Sequence, residues 1–505
     1  MSKPPTRLIC PLTKGSVQSM RSDMAVAAKL GADTVECRLD FLEATPTRRD
    51  LQALLVGCPL PAIVTCRPRR EGGYFKGDES QRLGILRDAA SFKPAFIDIE
   101  IDVPRSDWPD GNIILSHHEF NGAPDDLDEI VAKLDRSDAA INKVAFSADG
   151  PEDAFRALDI LRLCNKPTLA LAMGEHGLAS RLLAAKFGAF GAYATLDAST
   201  ISAPGQPTID QFCRLYHANS IGPDTTVYGV VGSPIAHSMS PAIHNAAFQQ
   251  AGIDGIYIPL RVEPGSNNFT RFTDALATRP WLGLHGLSVT IPHKENALAY
   301  AKANNCDNLA VKIGAVNTVT FQDNGKCHGD NTDYAAAIDA LCNTMNIERE
   351  GLAGKSVAVI GAGGVSRAIV AGLAHYGAEI IIYNRTVSRG EKLANEFACR
   401  WAPLDALRDT RAEIIINCTS VGMHPKVEAA PLERIPASVK VVFDTIYNPI
   451  ETRLLAEARA SRCLCVTGLD MFVNQAVAQF ELWTKRPAPR EMMRQVVMDC
   501  LSGRE

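Results

Sequence analysis

Two lysines stand in company that could give each of them chemistry. Lys143 lies in Ile141-Asn-Lys-Val-Ala-Phe-Ser, a strand-like run in which an ammonium is costly to bury unless it is paired or neutralised. Taken alone it reads as a strand-end residue reaching solvent. His118, in Ser116-His-His-Glu-Phe on the preceding strand end, alters that reading, because a proton acceptor would sit beside an imine formed on Lys143. Desolvation and neighbouring cations are expected to lower the Lys143 pKa and leave an amine able to attack a carbonyl. Glu71 is expected to orient the His118 imidazole and favour its protonated form. Arg38, Arg67 and Arg181 offer forked donors for a carboxylate and hydroxyls. Alternation along a strand sends His117 to the opposite face, where a structural role is expected.

The second lysine, Lys294, closes Thr290-Ile-Pro-His-Lys, and Asp333 closes Gly329-Asp-Asn-Thr-Asp. An ammonium beside a carboxylate can shuttle the proton of a hydroxyl while hydride leaves its carbon, which suits alcohol dehydrogenation without a metal. Read separately, the two residues are halves of an exposed ion pair of little worth. Ser238 and Ser240, in Ser-Met-Ser-Pro241, place two hydroxyls at a helix start, where a plain N-cap is the alternative. Further on, Gly361-Ala362-Gly363-Gly364 follows a strand and opens a helix, so the backbone can turn tightly and approach a pyrophosphate. The next strand ends in Asn384-Arg385-Thr386-Val-Ser-Arg389, where an NAD site would offer an acid to the ribose. Arg385 and Arg389 suit a 2′-phosphate instead, so NADP(H) is expected.

Positioning these residues requires an α/β chain. Short apolar runs near Leu8–Cys10, Thr34–Arg38, Ala62–Cys66, Phe96–Glu100, Ile113–Ser116, Lys143–Ser147, Leu169–Met173 and Ala192–Thr195 read as eight strands. Helix-sized segments such as 125–135 and 152–164 separate most of them, which fits a (β/α)8 barrel. A doubly wound open sheet is the alternative. Glu36, Arg38, Arg67, His118 and Arg181 decide for the barrel, since they fall at or beyond strand C-terminal ends, where barrel sites are built. A helix-like segment to His217 and turn residues around Gly222 end this pattern. A second α/β series has strands near Val227–Val231, Ile256–Leu260, Gly286–Thr290 and Val316–Phe321. Then comes a β-α-β nucleotide-binding unit: strand Ser356–Ile360, helix Val365–Tyr376, strand Glu379–Tyr383. The expected domains are a barrel over 1–222, a substrate domain over 223–334 completed by helices in 470–505, and a Rossmann domain over 335–469.

Bulk properties narrow the partners. A chain of 505 residues exceeds one hydrophobic core. With 46% hydrophobic and 22% charged residues and a net charge of -5, it has no basic face for nucleic acid or an anionic membrane. The 14 cysteines are scattered, and without C-x-x-C pairs they read as reduced thiols rather than metal ligands. Neither a signal region nor a bilayer-length apolar stretch is evident, and a cytoplasmic protein acting on small molecules, without metal, is expected.

The first series of motifs, Glu36-Cys-Arg-Leu-Asp, Thr65-Cys-Arg with Glu71-Gly-Gly, His118, Lys143, Met173 with Ser180-Arg181, and Ser202-Ala-Pro-Gly-Gln206, resembles type I 3-dehydroquinate dehydratase across most of residues 6–218. The resemblance implies that Lys143 forms a Schiff base with the ketone of 3-dehydroquinate. His118 would take a proton from the adjacent carbon and later protonate the departing hydroxyl, with Glu71 as its partner. Arg181 would hold the carboxylate, and Glu36, Arg38, Arg67, Ser202 and Gln206 would bind or close over the ring hydroxyls. Residues 225–505 resemble shikimate dehydrogenase through the Ser238, Lys294 and Asp333 motifs, Gly314-Ala-Val-Asn317-Thr, the glycine loop, Asn384-Arg-Thr, Tyr447-Asn-Pro and Gly468-Leu-Asp-Met-Phe-Val-Asn-Gln475. That resemblance implies that Ser238 and Ser240 bind a carboxylate, that Thr290, Asn317 and Gln475 contact ring hydroxyls, that Tyr447 reaches the substrate, and that Lys294 and Asp333 form the catalytic pair. Tyr334 departs from the glycine common at its position. In series, the two halves imply dehydration of 3-dehydroquinate to 3-dehydroshikimate and its reduction to shikimate. Oxidation of quinate by the second half, or a sensor that keeps the folds without catalysis, are the competitors.

Overall fold

The computed structural model describes residues 5–197, 199, 202–236, 238–302, 305–322 and 325–503; the extreme N-terminal residues 1–4 and His237 of the Pro234-Ile-Ala-His run lie outside them. The chain forms two compact units, Met1–Ala236 with Asp254–Gly283 and His237–Ile253 with Leu284–Glu505.

In the first unit eight parallel strands follow one another around a nearly closed barrel: β1 (Arg7–Leu12), β2 (Thr34–Arg38), β3 (Ala62–Thr65), β4 (Phe96–Glu100), β5 (Ile113–Glu119), β6 (Ile141–Ser147), β7 (Thr168–Met173) and β8 (Gly191–Tyr193). The sheet runs in order from β7 back to β1, and β8 pairs with β1. All eight strands lie where the apolar runs place them, with ends shifted by a few residues. The interior is layered. Ile9, Ile63, Ile114, Ile141 and Leu169 form an apolar floor. One pleat step further along their strands, Thr65, Ser116 and Lys143 point into the same interior, with Ser116 opposite Lys143 in the β5–β6 register. Such inward layers from successive strands are how a barrel fills its centre. The helix-like segment expected to reach His217 shrinks to one turn, Gln211–Leu215. His217 itself adopts φ 51°, a left-handed conformation that ends a helix.

After the barrel, β9 (Thr226–Gly232) and β10 (Gly255–Arg261) pair in parallel. The segment around β10 is tied to the barrel by Arg279, which forks onto Asp159 at 2.9 and 2.8 Å, and by Phe272 against Phe155. Lys186 donates to the carbonyls of Pro223 and Thr225 at 2.7 and 2.8 Å, which anchors the connection; burial lowers its pKa.

In the second unit β11 (Leu284–Val289), β12 (Thr318–Phe321) and β13 (Cys327–Asp330) form an antiparallel meander. A six-stranded parallel sheet follows: β14 (Ser356–Ile360), β15 (Glu379–Asn384), β16 (Arg400–Pro403), β17 (Ile414–Asn417), β18 (Val441–Asp444) and β19 (Leu464–Val466), in the order β16-β15-β14-β17-β18-β19. Val357 and Val359 enter one core and Ala358 and Ile360 the other, so both faces are covered, as a doubly wound sheet requires. The C-terminal helices Gly468–Thr484 and Arg490–Ser502 turn back, the first onto Thr332–Met345 and the second onto Ser240–Ala251. Thr467 and Asp470 form a capping box at the first of them, the reciprocal pairing that starts a helix sharply. Tyr334 packs beside Ile313, Ala368 and Ala371.

Candidate active sites

The barrel mouth holds a cavity lined by Glu36, Arg38, Arg67, Glu71, His118, Lys143, Met173, Arg181, Ser202 and Gln206, together with Tyr193 and Phe120. Every barrel residue singled out for chemistry in the sequence is therefore brought to one place. Lys143 is 4% exposed, and its Nζ donates to Asp98 Oδ2 at 2.8 Å and Glu36 Oε1 at 3.2 Å. This corrects the expected direction of its pKa. Burial does pull it down, but the charges of Asp98 and Glu36 outweigh burial and hold it above the ordinary lysine value. Lys143 rests as an ammonium between two carboxylates, because a low-polarity interior strengthens their attraction as much as it penalises the charge.

His118 corrects a second expectation. Its Nδ1 lies 2.9 Å from Glu71 Oε2, yet burial, with Arg67 and Lys143 nearby, holds its pKa well below the usual value. Burial also raises Glu71 to about 8, against the pull of Arg67. Burial thus disfavours charge on both partners, and in the tautomer whose Nδ1–H donates to the Glu71 carboxylate the other ring nitrogen is left to accept a proton. His117 is the neighbour on the opposite face, half-buried.

Arg67 is not a free anchor. It donates to Glu100 at 2.6 Å, Ser116 at 2.8 Å and Asp98 at 2.7 Å, while fully buried Arg82 closes the ring on Glu100 at 2.7 Å. Arg38 forks onto Asp40 at 2.9 and 2.8 Å. Arg181 differs: it is 2% exposed, its Nε has no hydrogen-bond partner among the described residues, and burial lowers its pKa to about 10. An unpaired buried guanidinium is costly and is a natural receptor for an anion. Ser202 donates to Gln206 Oε1 at 3.0 Å, closing the loop over the mouth. Sequence reasoning missed Asp98, Glu100, Ser116, Arg82 and Tyr193. The first two were legible: two carboxylates at i and i+2 of Phe96-Ile-Asp-Ile-Glu share one face of a buried strand, where ion pairing is the only stable solution.

The second site lies in the second unit. Lys294 Nζ is 2.5 Å from Asp333 Oδ2, with side chains 25% and 13% exposed. Asp333 stands in the first turn of helix Thr332–Met345, capped by Asn331, whose Oδ1 accepts from the amides of Asp333 and Tyr334. Asn317 Oδ1 accepts from Thr332 N at 2.7 Å. Gln479 joins Ser288 Oγ at 2.8 Å to Thr318 Oγ1 at 3.0 Å. Asn331, Thr332, Ser288 and Gln479 form this neutral support; the first two lie in the Gly329-Asp-Asn-Thr-Asp motif, where only Asp333 was given a role, and the last two in no motif. Ser238 Oγ accepts from Ser240 N at 3.3 Å ahead of helix Ser240–Ala251, whose N-cap is Met239 without a side-chain cap bond, so neither serine is the plain N-cap. Thr290 directly follows β11, half-buried, Gln475 lies on helix Gly468–Thr484, and Tyr447 stacks on Phe472 with centroids 4.9 Å apart.

The glycine loop fits a dinucleotide. Gly361 has φ 106° and would press a Cβ against Thr419 at 3.0 Å, whereas a Cβ on Gly363 or Gly364 would meet nothing within 4 Å. The open space lies at the N-terminus of helix Gly364–His375, where backbone amides attract phosphate. Ala362 completes the turn. Asn384 Nδ2 donates to Thr386 O at 2.7 Å, fixing the corner after β15. Arg385 and Arg389 are exposed and make no ion pair among the described residues, and the first turn of Val387–Glu396 carries no acid. Arg385 also borders a cleft of about 920 Å³ with Arg408 and Arg434. Among the described residues no group of three His, Cys, Asp or Glu could hold a metal ion, and no helix is long and apolar enough to cross a membrane.

A barrel with a buried lysine-histidine centre, followed by a lysine-aspartate pair and a Rossmann-type sheet with a glycine loop, is the pattern of a two-site lyase and oxidoreductase. The comparisons agree in both halves. Residues 8–223 match the type I 3-dehydroquinase family, 230–319 the shikimate dehydrogenase substrate-binding domain, 344–455 shikimate/quinate 5-dehydrogenase, and 468–498 the shikimate 5′-dehydrogenase C-terminal domain. A chloroplastic bifunctional 3-dehydroquinate dehydratase/shikimate dehydrogenase of Arabidopsis thaliana is 38% identical, covering 98% of this chain and 85% of the relative. The NADP(+) shikimate dehydrogenase of Methanosarcina barkeri is 42% identical over 54% of this chain and 98% of its own. A crystal structure of a shikimate dehydrogenase in complex with NADP+ superposes with a TM-score of 0.51 at 36% identity, covering 56% of this chain and 97% of that one. The chain belongs to the family of bifunctional 3-dehydroquinate dehydratase/shikimate dehydrogenases.

Proposed function

We propose that the two sites carry out consecutive reactions: 3-dehydroquinate is dehydrated to 3-dehydroshikimate in the barrel, and 3-dehydroshikimate is reduced to shikimate in the second unit. The observation that carries the reading is the pair of intact centres, Lys143 with His118 and Lys294 with Asp333, each assembled from distant segments. In the barrel, substrate entry displaces the Lys143 ammonium from Asp98 and Glu36 and His118 takes its proton; the freed amine adds to the ketone, and His118 returns the proton to the carbinolamine hydroxyl, which leaves as water to give an iminium. The iminium acidifies the neighbouring carbon. Neutral His118 takes that proton, held in orientation by Glu71, and returns it to the departing hydroxyl, which leaves as water. Hydrolysis of the iminium frees Lys143. Arg181 holds the carboxylate, Glu36, Arg38, Ser202 and Gln206 face the ring hydroxyls, and Arg67 acts through the carboxylates it pairs.

In the second unit bound NADPH would supply the hydride for the ketone. Gly361, Ala362, Gly363 and Gly364 would hold its pyrophosphate, and Asn384, Arg385, Thr386 and Arg389 its phosphorylated ribose. Lys294 delivers the proton to the ketone oxygen, with Asp333 keeping the ammonium in place. Ser238 and Ser240 hold the carboxylate, while Thr290, Asn317, Tyr447 and Gln475 contact the ring. The division of labour follows domains at 1–222, 223–334 with 470–505, and 335–469. All 14 cysteines are free, which supports a reducing compartment such as the cytoplasm. The test supplies 3-dehydroquinate with and without NADPH. Enone absorbance appearing without cofactor, then NADPH consumed with shikimate formed, is expected. Binding without either signal would instead mark a sensor, and faster turnover of quinate than shikimate would reassign the second site.

A further inference from the structure

The dehydratase cavity contains a hydroxyl that no motif explained. Tyr193 ends β8, is 5% exposed, and presents its Oη with no hydrogen-bond partner among the described residues. Its ring lies beneath Lys143, with Nζ 5.1 Å from the centroid. Two further buried donors on the same cavity wall are unpartnered, Arg181 Nε and Gln206 Nε2. A buried hydroxyl left unpaired costs stability, and a phenylalanine there would fill the same volume without that cost. Three idle donors facing one small cavity require a ligand rich in acceptor oxygens.

We propose that Tyr193 Oη is a substrate-binding donor that shares the ligand carboxylate with Arg181. A guanidinium supplies charge and one edge of the fork, and a neutral hydroxyl satisfies the remaining lone pairs without adding a second cation beside Lys143. A second cation would oppose the positive iminium that the reaction needs there only transiently. The inference rests on the barrel's assignment as the dehydratase.

The test is Tyr193→Phe in the full chain. The KM for 3-dehydroquinate is expected to rise about tenfold with a smaller change in kcat, the loss of one hydrogen bond to a charged group. The ligand-free protein should melt at the same or a higher temperature, since a purely structural hydroxyl would lower it. Shikimate oxidation, read on the same sample, reports folding. A second variant, Arg181→Lys, completes a double-mutant cycle, in which the two effects on KM should be non-additive if both donors grip one carboxylate. An unchanged KM in Tyr193→Phe, a lowered melting temperature with unchanged KM, or strict additivity overturns the proposal. Absence of dehydration in the unmodified protein would overturn the functional reading instead.

Discussion

The two lysines make the same kind of contact, an ammonium against a carboxylate, in opposite surroundings. Lys143 is sealed in the barrel between Asp98 and Glu36, and Asp98 is tied to Arg67, which Glu100 links to Arg82. Lys294 meets Asp333 at a partly open edge supported by neutral amides and hydroxyls. In the proposed mechanism the first reaction builds charge on the substrate through a covalent bond, so charge must be stored nearby and shielded from water. The second receives its reducing electrons from an exchanging cofactor, so its pair needs reach and access more than burial. An ion pair's worth depends on this setting: exposed pairs contribute little, and breaking a buried network leaves an uncompensated charge.

The contrast is broken most severely by removing each lysine. In Lys143→Ala dehydration should vanish and borohydride should no longer lock substrate onto the protein, while shikimate oxidation stays within about twofold; Lys294→Ala should lower shikimate oxidation by ~10²–10⁴ and leave dehydration intact. Loss of both activities in either folded variant would defeat the two-site account.

Stability should separate the pairs next. Asp98→Asn strands Lys143 and Arg67 and is expected to cost about 3–5 kcal/mol in denaturant unfolding, whereas Asp333→Asn should cost under about 1 kcal/mol. Equal costs would erase the distinction drawn between buried and open pairs.

Cofactor choice is a smaller lever. Arg385→Ala should raise the KM for NADPH about tenfold, the worth of one charged hydrogen bond, and leave the KM for NADH nearly unchanged. A parallel rise for both would move Arg385 away from the 2′-phosphate.

The pH dependence is the gentlest probe. With His118 held below its ordinary value of 6.5, the acidic limb of dehydratase kcat/KM should fall below that pH, and a limb above it would contradict a neutral resting imidazole. Glu71, raised from 4.5 to about 8, binds more protons folded than unfolded. Its contribution to stability is complete below pH 4.5 and is lost as pH climbs toward 8. Glu71→Gln should flatten that slope in thermal melts.

The amino-acid sequence by itself determined the eight barrel strands and the Rossmann unit, because strand periodicity and turn chemistry are local and act through near neighbours, and its motifs carried the residues singled out in the barrel cavity. It also carried Asp98 and Glu100 in plain view on one face of β4, although their role needed partners from other strands. Only the tertiary structure decided the protonation of Lys143 and His118. Glu36 and Asp98 lie 107 and 45 residues from Lys143 along the chain, and electrostatic attraction follows distance in space rather than in sequence. Burial of Tyr193, Arg181 and Gln206 with idle donors was equally out of reach, since an unmet hydrogen bond exists only once everything around it has been placed.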